Sequence, residues 1–362
     1  MRALFYHFSP EWTGGARVFA AAARTLAERG HQVTYACPPE SAVEAQVSRD
    51  GYDVAAIGQG GGDPGRLGRV MRENFIEVTY VHTEREHWAA ALASRRAGRG
   101  GIVRRNGAGC RLATGMRTRT AMRLAPTALL FTSAGELQGT PRLPRTISAA
   151  VADVGVPAAL YDAVRPAPRA SLGADPGTRL IVCATGAGQG RPHIATVLRT
   201  VGLLAPLHPE LRLAIVGPGS DNEELRMHAA SLGITSLVAH LGERDDQLSV
   251  LAAADIGWVA SGGDDAAYAA LDFMALRVPV LAERDTVAAR YVADGITGEL
   301  LPPEDPPSTA AAVAQFIGRD ELRTTMGNAA HARVLRDFSE SAMADRFLEV
   351  GATARDRSRG AK

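Results

Sequence analysis

The sequence predicts an α/β protein built from two Rossmann-like, doubly wound parallel-sheet domains, and three observations carry that prediction. Short β-branched runs alternate with amphipathic helical stretches along most of the chain, the pattern of parallel α/β architecture. At 362 residues the chain is long enough for two domains, each with its own core. The alternation breaks over residues 154–178, where Val-Gly-Val-Pro157, Arg-Pro-Ala-Pro168 and Asp-Pro-Gly177 form a Pro/Gly-rich connection. The expected division is therefore a first domain over 1–165, a second over 166–338, a helix over 339–352 and a flexible tail over 353–362.

In chain order, the first domain carries strand patterns at 3–8, 32–37, 54–57, 77–82, 101–104 and 128–132. A helix over 16–29 places Val18, Phe19, Ala22 and Leu26 on one face and stops at Gly30. The second domain carries strands at 179–185, 211–216, 238–241, 256–260 and 278–282. Helices at 193–204, 223–232, 245–253 and 265–276 lie between them, and three more follow near 308–317, 320–335 and 339–350. In doubly wound sheets ligands bind at the carboxyl ends of the strands, so a cleft between the two domains is the expected site.

Composition narrows the function classes. The chain carries 40 basic and 39 acidic residues, which advertises no polyanion partner, and Lys362 is its single lysine. The charge is unevenly placed: residues 1–170 are net +8 and residues 171–362 net −7. Eleven arginines against the single acid Glu136 fall within 95–145, including the basic amphipathic helix pattern Met116-Arg-Thr-Arg-Thr-Ala-Met122-Arg-Leu124. That pattern suits an anionic acceptor, an anionic lipid surface or a plain solvated face. No nucleic-acid module accompanies it. Cys37, Cys110 and Cys183 lack disulfide or zinc spacing, which fits a reducing cytoplasm. No run approaches 18 apolar residues, so the expected location is cytoplasmic, with peripheral contact at the inner membrane face as a further expectation.

Four segments carry candidate chemistry. Gly14-Gly15, between the first strand and the first helix, suits a phosphate at a helix N-terminus or, more plainly, a tight turn. Gly186-Ala-Gly188-Gln-Gly190-Arg191 repeats the strand, glycine loop, helix arrangement. The next strand ends in Val216-Gly-Pro-Gly219, without the acid a dinucleotide fold uses on the ribose, which disfavours a nicotinamide enzyme. Asp264 and Asp272 stand about two helical turns apart and suit two parts of one extended ligand; Asp264 and Asp265 equally suit the helix dipole. His82, at a strand end, suits a general base or a structural turn. No metal-ligand spacing is found, and neither metal nor cofactor is expected.

The segments Leu213-Ala-Ile-Val-Gly-Pro-Gly219, Leu232-Gly-Ile, Val238-Ala-His-Leu-Gly242, Leu251-Ala-Ala-Ala-Asp255, Asp294-Gly-Ile-Thr-Gly298 and Phe338-Ser339 come in an order that resembles the nucleotide-binding half of family 4 glycosyltransferases. The front half is similar more loosely, through Gly14-Gly15, Leu26-Ala-Glu-Arg-Gly30 and the strand ending in His82. The resemblance implies a GT-B fold and a metal-independent, configuration-retaining transfer from a nucleoside-diphosphate sugar. It implies an acceptor side in the first domain, a donor side in the second, and a last helix returning to the first. Asp264 would hold sugar hydroxyls and Asp272 the ribose; Gly14, Gly15, Gly188, Gly190 and Arg191 would hold phosphates; His82 and Arg105 would face an anionic or lipid-linked acceptor. Departures stand beside this. Gln189-Gly190 replaces the family's lysine-glycine, both motif glutamates are aspartates, Arg277 replaces a glycine, and no histidine follows the strand at 101–104. A catalytically inert sugar-nucleotide-binding or partner protein is therefore the alternative expectation, and a sugar-nucleotide hydrolase or epimerase a third.

Overall fold

The structure, a computed structural model, describes residues 1–58, 63–140, 143, 147–186 and 191–360, with backbone only at 191 and 192. It divides into two compact units, residues 1–155 with 340–362 and residues 156–339.

In the first unit the order is β1 (Arg2–Tyr6), α1 (Gly14–Glu28), β2 (Gln32–Cys37), α2 (Ala42–Arg49), β3 (Asp53–Ala56) and α3 (Pro64–Glu73). It continues through β4 (Val78–Val81), α4 (Glu84–Ala97), β5 (Gly101–Arg105), α5 (Met116–Leu124), β6 (Thr127–Phe131), α6 (Ala134–Gln138) and β7 (Ser148–Val151). The strands pair in parallel in the order β3-β2-β1-β4-β5-β6-β7, so the winding reverses between β1 and β4. Apolar residues of α3 and α4, such as Leu67, Met71 and Ala90, pack over Leu4, Val81 and Ile102 on one face.

The second unit contains α7 (Ala158–Tyr161), β8 (Arg179–Ala184), α8 (Arg191–Leu204), β9 (Leu211–Val216), α9 (Glu223–Ser231), β10 (Val238–His240), α10 (Gln247–Ala252) and β11 (Ile256–Val259). Then come α11 (Gly263–Ala275), β12 (Val280–Glu283), β13 (Gly298–Leu301), α12 (Pro306–Ile317) and α13 (Asp320–Asp337). Its sheet runs β10-β9-β8-β11-β12-β13, all parallel, with the reversal between β8 and β11. Close backbone packing explains Gly257: a Cβ there would lie 2.5 Å from the Phe273 ring, so glycine lets α11 sit directly on β11.

Three expectations change. The stretch 156–165, assigned above to the first domain, packs into the second unit, and the Pro/Gly-rich run is strapped down: Tyr161 donates to Asp272, Ala167 N–H to the Ser249 carbonyl and Arg169 to Asp255. The tail expected to fray after 352 is helical, as α14 (Glu340–Gly360) in the first unit. Small residues explain it: Gly101 receives the Ala354 backbone and Gly351 the Tyr80 hydroxyl, so the helix lies flat on the sheet. Its start is tied to α1 by Arg24 and Thr25 on Glu340. The strands β7 and β13 were not expected.

Candidate functional site

The reversals in strand order mark where each sheet opens a crevice at its carboxyl edge, and the candidate residues gather at both. In the first unit these are the loops after β1 and β4. Thr13 caps α1 by accepting from the Ala16 N–H, so Gly14 and Gly15 form the first helical turn rather than a preceding loop. The Gly15 amide is among the donors that an α-helix leaves without intrahelical partners.

His82 lies just past β4. Its Nε2 is 2.7 Å from the Gly15 carbonyl oxygen, which can only accept, so the ring carries its proton on Nε2 and donates it. The ring stacks on Phe19 with centroids 3.6 Å apart and planes 17° apart. This fixes the first turn of α1 against the end of β4, a positioning task the sequence reading gave only as its plainer alternative.

The central residue of this edge is one not singled out from the sequence. Glu86, 1 % exposed, accepts from the backbone N–H of Phe8, His82 and Thr83. It forms a capping box with Thr83 at the start of α4 and joins the loops after β1 and β4. Thr83-x-x-Glu86 was its signal. His7 is buried nearby with its Nδ1 4.0 Å from Glu86 Oε1, and burial pushes its pKa below the usual histidine value despite that carboxylate.

Arg105 ends β5 and is only 1 % exposed, enclosed rather than displayed. Arg104 is buried too; it donates to Thr118, which donates to Glu84. The arginine-rich stretch is therefore not one surface. Arg142 and Arg145 lie outside the described residues, and the outward set is led by Arg95, Arg96, Arg111, Arg117, Arg119 and Arg123.

In the second unit the reversal lies between β8 and β11. Thr185 follows β8 and donates to the Pro218 carbonyl at 3.0 Å. Gly217, at φ 115°, packs so closely that a Cβ would sit 2.6 Å from the Thr185 oxygen. Gly186 is similarly pressed: a Cβ would lie 2.5 Å from Asp265 Cβ and 3.0 Å from Ser261 Cβ. The loop after β8 thus touches the first turn of α11, whose N-cap, Gly262, offers no side-chain acceptor. Asp264 is half-buried in that turn. Gly188 and Gly190 lie outside the described residues, as does the Arg191 side chain.

Two pairs were missed because their members are far apart in sequence. His193, in the first turn of α8, has Nδ1 2.8 Å from Glu283 Oε2, and this hydrogen bond raises the histidine pKa against the opposing effect of burial. Asp272, 2 % exposed, accepts from the Tyr161 hydroxyl, so the carboxylate expected on a ribose is engaged by the strap. At the far end of α11, Arg277 takes the left-handed conformation, φ 61°, of a Schellman stop: Arg277 N–H bonds the Met274 carbonyl and Val278 N–H that of Phe273. Its guanidinium donates to His331 Nε2, whose Nδ1–H is held by the Ala275 carbonyl. Among the described residues no group of three His, Cys, Asp or Glu side chains is placed to hold a metal ion.

Residues 170–333 match the family model described as glycosyl transferases group 1. The matched residues all fall within the second unit. Curated relatives are similar over part of the chain. A lipopolysaccharide core biosynthesis glycosyltransferase of Rhizobium meliloti is 26 % identical over 170 residues, 47 % of this chain and 49 % of that protein. A D-inositol 3-phosphate glycosyltransferase of Corynebacterium jeikeium is 32 % identical over 158 residues, 41 % and 38 % of the two chains. The matches thus span half or less of the relatives' length. In fold, 98 % of this chain superposes on 98 % of a glycosyltransferase from Rickettsia africae, at TM-score 0.81 and 14 % identity. It likewise covers all of Anabaena HepE, solved with UDP, at TM-score 0.77 and 18 % identity. The fold is GT-B: two Rossmann-like parallel-sheet domains.

Proposed function

We propose that the protein transfers a sugar from a nucleoside-diphosphate sugar to an acceptor with retention of configuration and without a metal ion. The observation that carries this reading is the strand-order reversal of the second unit. There Gly186 packs on Asp265, and α11 begins without a side-chain cap. Backbone amides at a helix start neutralise the charge that develops on a leaving diphosphate. Arg191 and His193, in the first turn of α8, are assigned the place of the family's missing lysine, and the hydrogen bond to Glu283 raises the histidine pKa. Gly188 and Gly190 are assigned to the diphosphate, Asp264 to sugar hydroxyls and Asp272 to the ribose. The solved complexes of HepE with UDP and UDP-glucose support a donor of this class.

Gly14 and Gly15, which open α1, are assigned to the donor phosphates, and His82 and Arg105, at the ends of β4 and β5, to the acceptor. The outward face of α5, with Met116 85 % exposed beside Arg117, Arg119 and Arg123, suits an anionic or lipid-linked acceptor and peripheral contact with the inner face of a membrane. No described helix is long and apolar enough to cross one.

A second reading, sugar-nucleotide binding without transfer, is favoured by the engagement of Asp272 with Tyr161. One experiment separates the two. The protein is incubated with UDP-, GDP-, ADP- and TDP-sugars and simple or lipid-linked acceptors, following melting temperature for binding and NMR for the anomeric product. Transfer with retention is the expected result; binding without turnover in the presence of acceptors supports the second reading, and no binding overturns both.

A further inference from the structure

At the opposite edge of the first sheet, where β1, β4 and β5 begin, lies a cavity of about 340 Å³. Its walls include Arg2, Arg99, Arg355 and Arg359, with Phe75, Glu77 and Ser358. The cations are unevenly used. Arg359 pairs with Glu77 and Arg355 with Asp356, whereas the guanidiniums of Arg2 and Arg99 make no hydrogen bond or ion pair with another described residue. Both are instead held over the Phe75 ring, 5.1 and 5.0 Å from its centroid.

Phe75 is itself anomalous. It is 56 % exposed and takes φ 52° at the Schellman stop of α3, where Ile76 N–H bonds the Met71 carbonyl and Phe75 N–H that of Arg72. Glycine fills such a position without strain, whereas a bulky side chain there is strained. A strained, exposed aromatic that orients two arginine forks into a cavity is the kind of outlier that marks a binding site. Nearby His31 is pushed below the usual histidine pKa by burial and then by neighbouring cations that include Arg29 and Arg355, against Glu77.

We propose that this cavity binds a phosphate-bearing small anion, with Arg2 and Arg99 as its bidentate ligands, Phe75 as their support, and Arg355, Arg359 and Ser358 around it. Planar guanidinium forks match phosphate oxygens in pairs, and such charge-assisted bonds are the strong ones. The site lies at the amino ends of the strands, apart from the glycine loops, and does not depend on the transfer reaction.

Titration calorimetry with inorganic pyrophosphate at low salt tests it. The wild type should bind, and the double variant Arg2→Gln, Arg99→Gln should bind at least about tenfold more weakly. Phe75→Gly should weaken binding while leaving the melting temperature equal or higher, which separates a ligand-orienting role from a structural one. The melting shift produced by a nucleotide sugar should be the same in all three proteins. Equal pyrophosphate affinity in the wild type and the double variant, or no binding by the wild type at millimolar probe, would overturn the proposal.

Discussion

At the strand-order reversal of the first unit, a buried carboxylate and an imidazole tie the loops together: Glu86 gathers three backbone amides and His82 holds the Gly15 carbonyl. At the reversal of the second unit the corresponding loops meet through shape, with Gly186 against Asp265 and Ser261 and Gly217 against Thr185. The helices differ in the same sense. Side chains cap α1 and α4, whereas no side chain caps α11. A protein that satisfies loop amides with its own side chains fixes a surface by hydrogen bonds; one that removes side chains brings backbone against backbone. This contrast fits an acceptor side with built walls and a donor side that takes a diphosphate.

The largest effect is expected from breaking the first arrangement. Glu86→Ala leaves three amides without their acceptor and should lower stability by about 3 kcal/mol or more in chemical denaturation, since each orphaned buried donor costs on the order of 1–3 kcal/mol. Glu86→Gln, which keeps an acceptor oxygen, should cost visibly less. Values within experimental error of the wild type for both variants would mean that Glu86 does not organise the loops. Next comes Gly186→Ala in the second unit. The added Cβ has no room, so a loss of about 1–3 kcal/mol is expected, together with loss of nucleotide-induced stabilisation. A variant that binds nucleotide normally would show that the close packing is incidental.

The fold was largely legible because buried parallel strands announce themselves as β-branched runs between helical patterns. The strands β7, Ser-Ala-Ala-Val, and β13, Gly-Glu-Leu-Leu, escaped notice because each is four residues long and partly exposed, without such a run. At the sites, the glycines and Asp264 were legible as motifs, and Glu86 was available as a capping box. Tyr161 with Asp272 and His193 with Glu283 were not, since their partners lie 111 and 90 residues apart and only the folded sheet brings them together. The Pro/Gly-rich stretch misled for a physical reason: prolines that suit a linker equally suit an extended strap, and only Tyr161, Ala167 and Arg169 reveal which it is.

Smaller effects sharpen the donor side. Glu283 raises the His193 pKa, so the pair stabilises the fold most below pH 6.5 and loses that contribution as pH rises through the raised value. Stability curves of the wild type and His193→Gln should therefore differ by about 0.5–1 kcal/mol at pH 5.5 and converge as pH rises through the raised histidine value. A constant offset would contradict the pairing. The smallest change is expected for Arg277→Gly, where relief of left-handed strain, about 1 kcal/mol, offsets loss of the bond to His331. Arg277→Ala keeps the strain and loses the bond, and should be the less stable of the two by thermal melting.

Hydrogen exchange with a saturating nucleoside-diphosphate sugar, read by mass spectrometry on the full chain, tests the donor assignment most directly. The account predicts slowed exchange at 185–186, 217–220 and 261–265, with the amino-end cavity of the first sheet unchanged. Protection confined to the first unit, with those three loops unaltered, would contradict it.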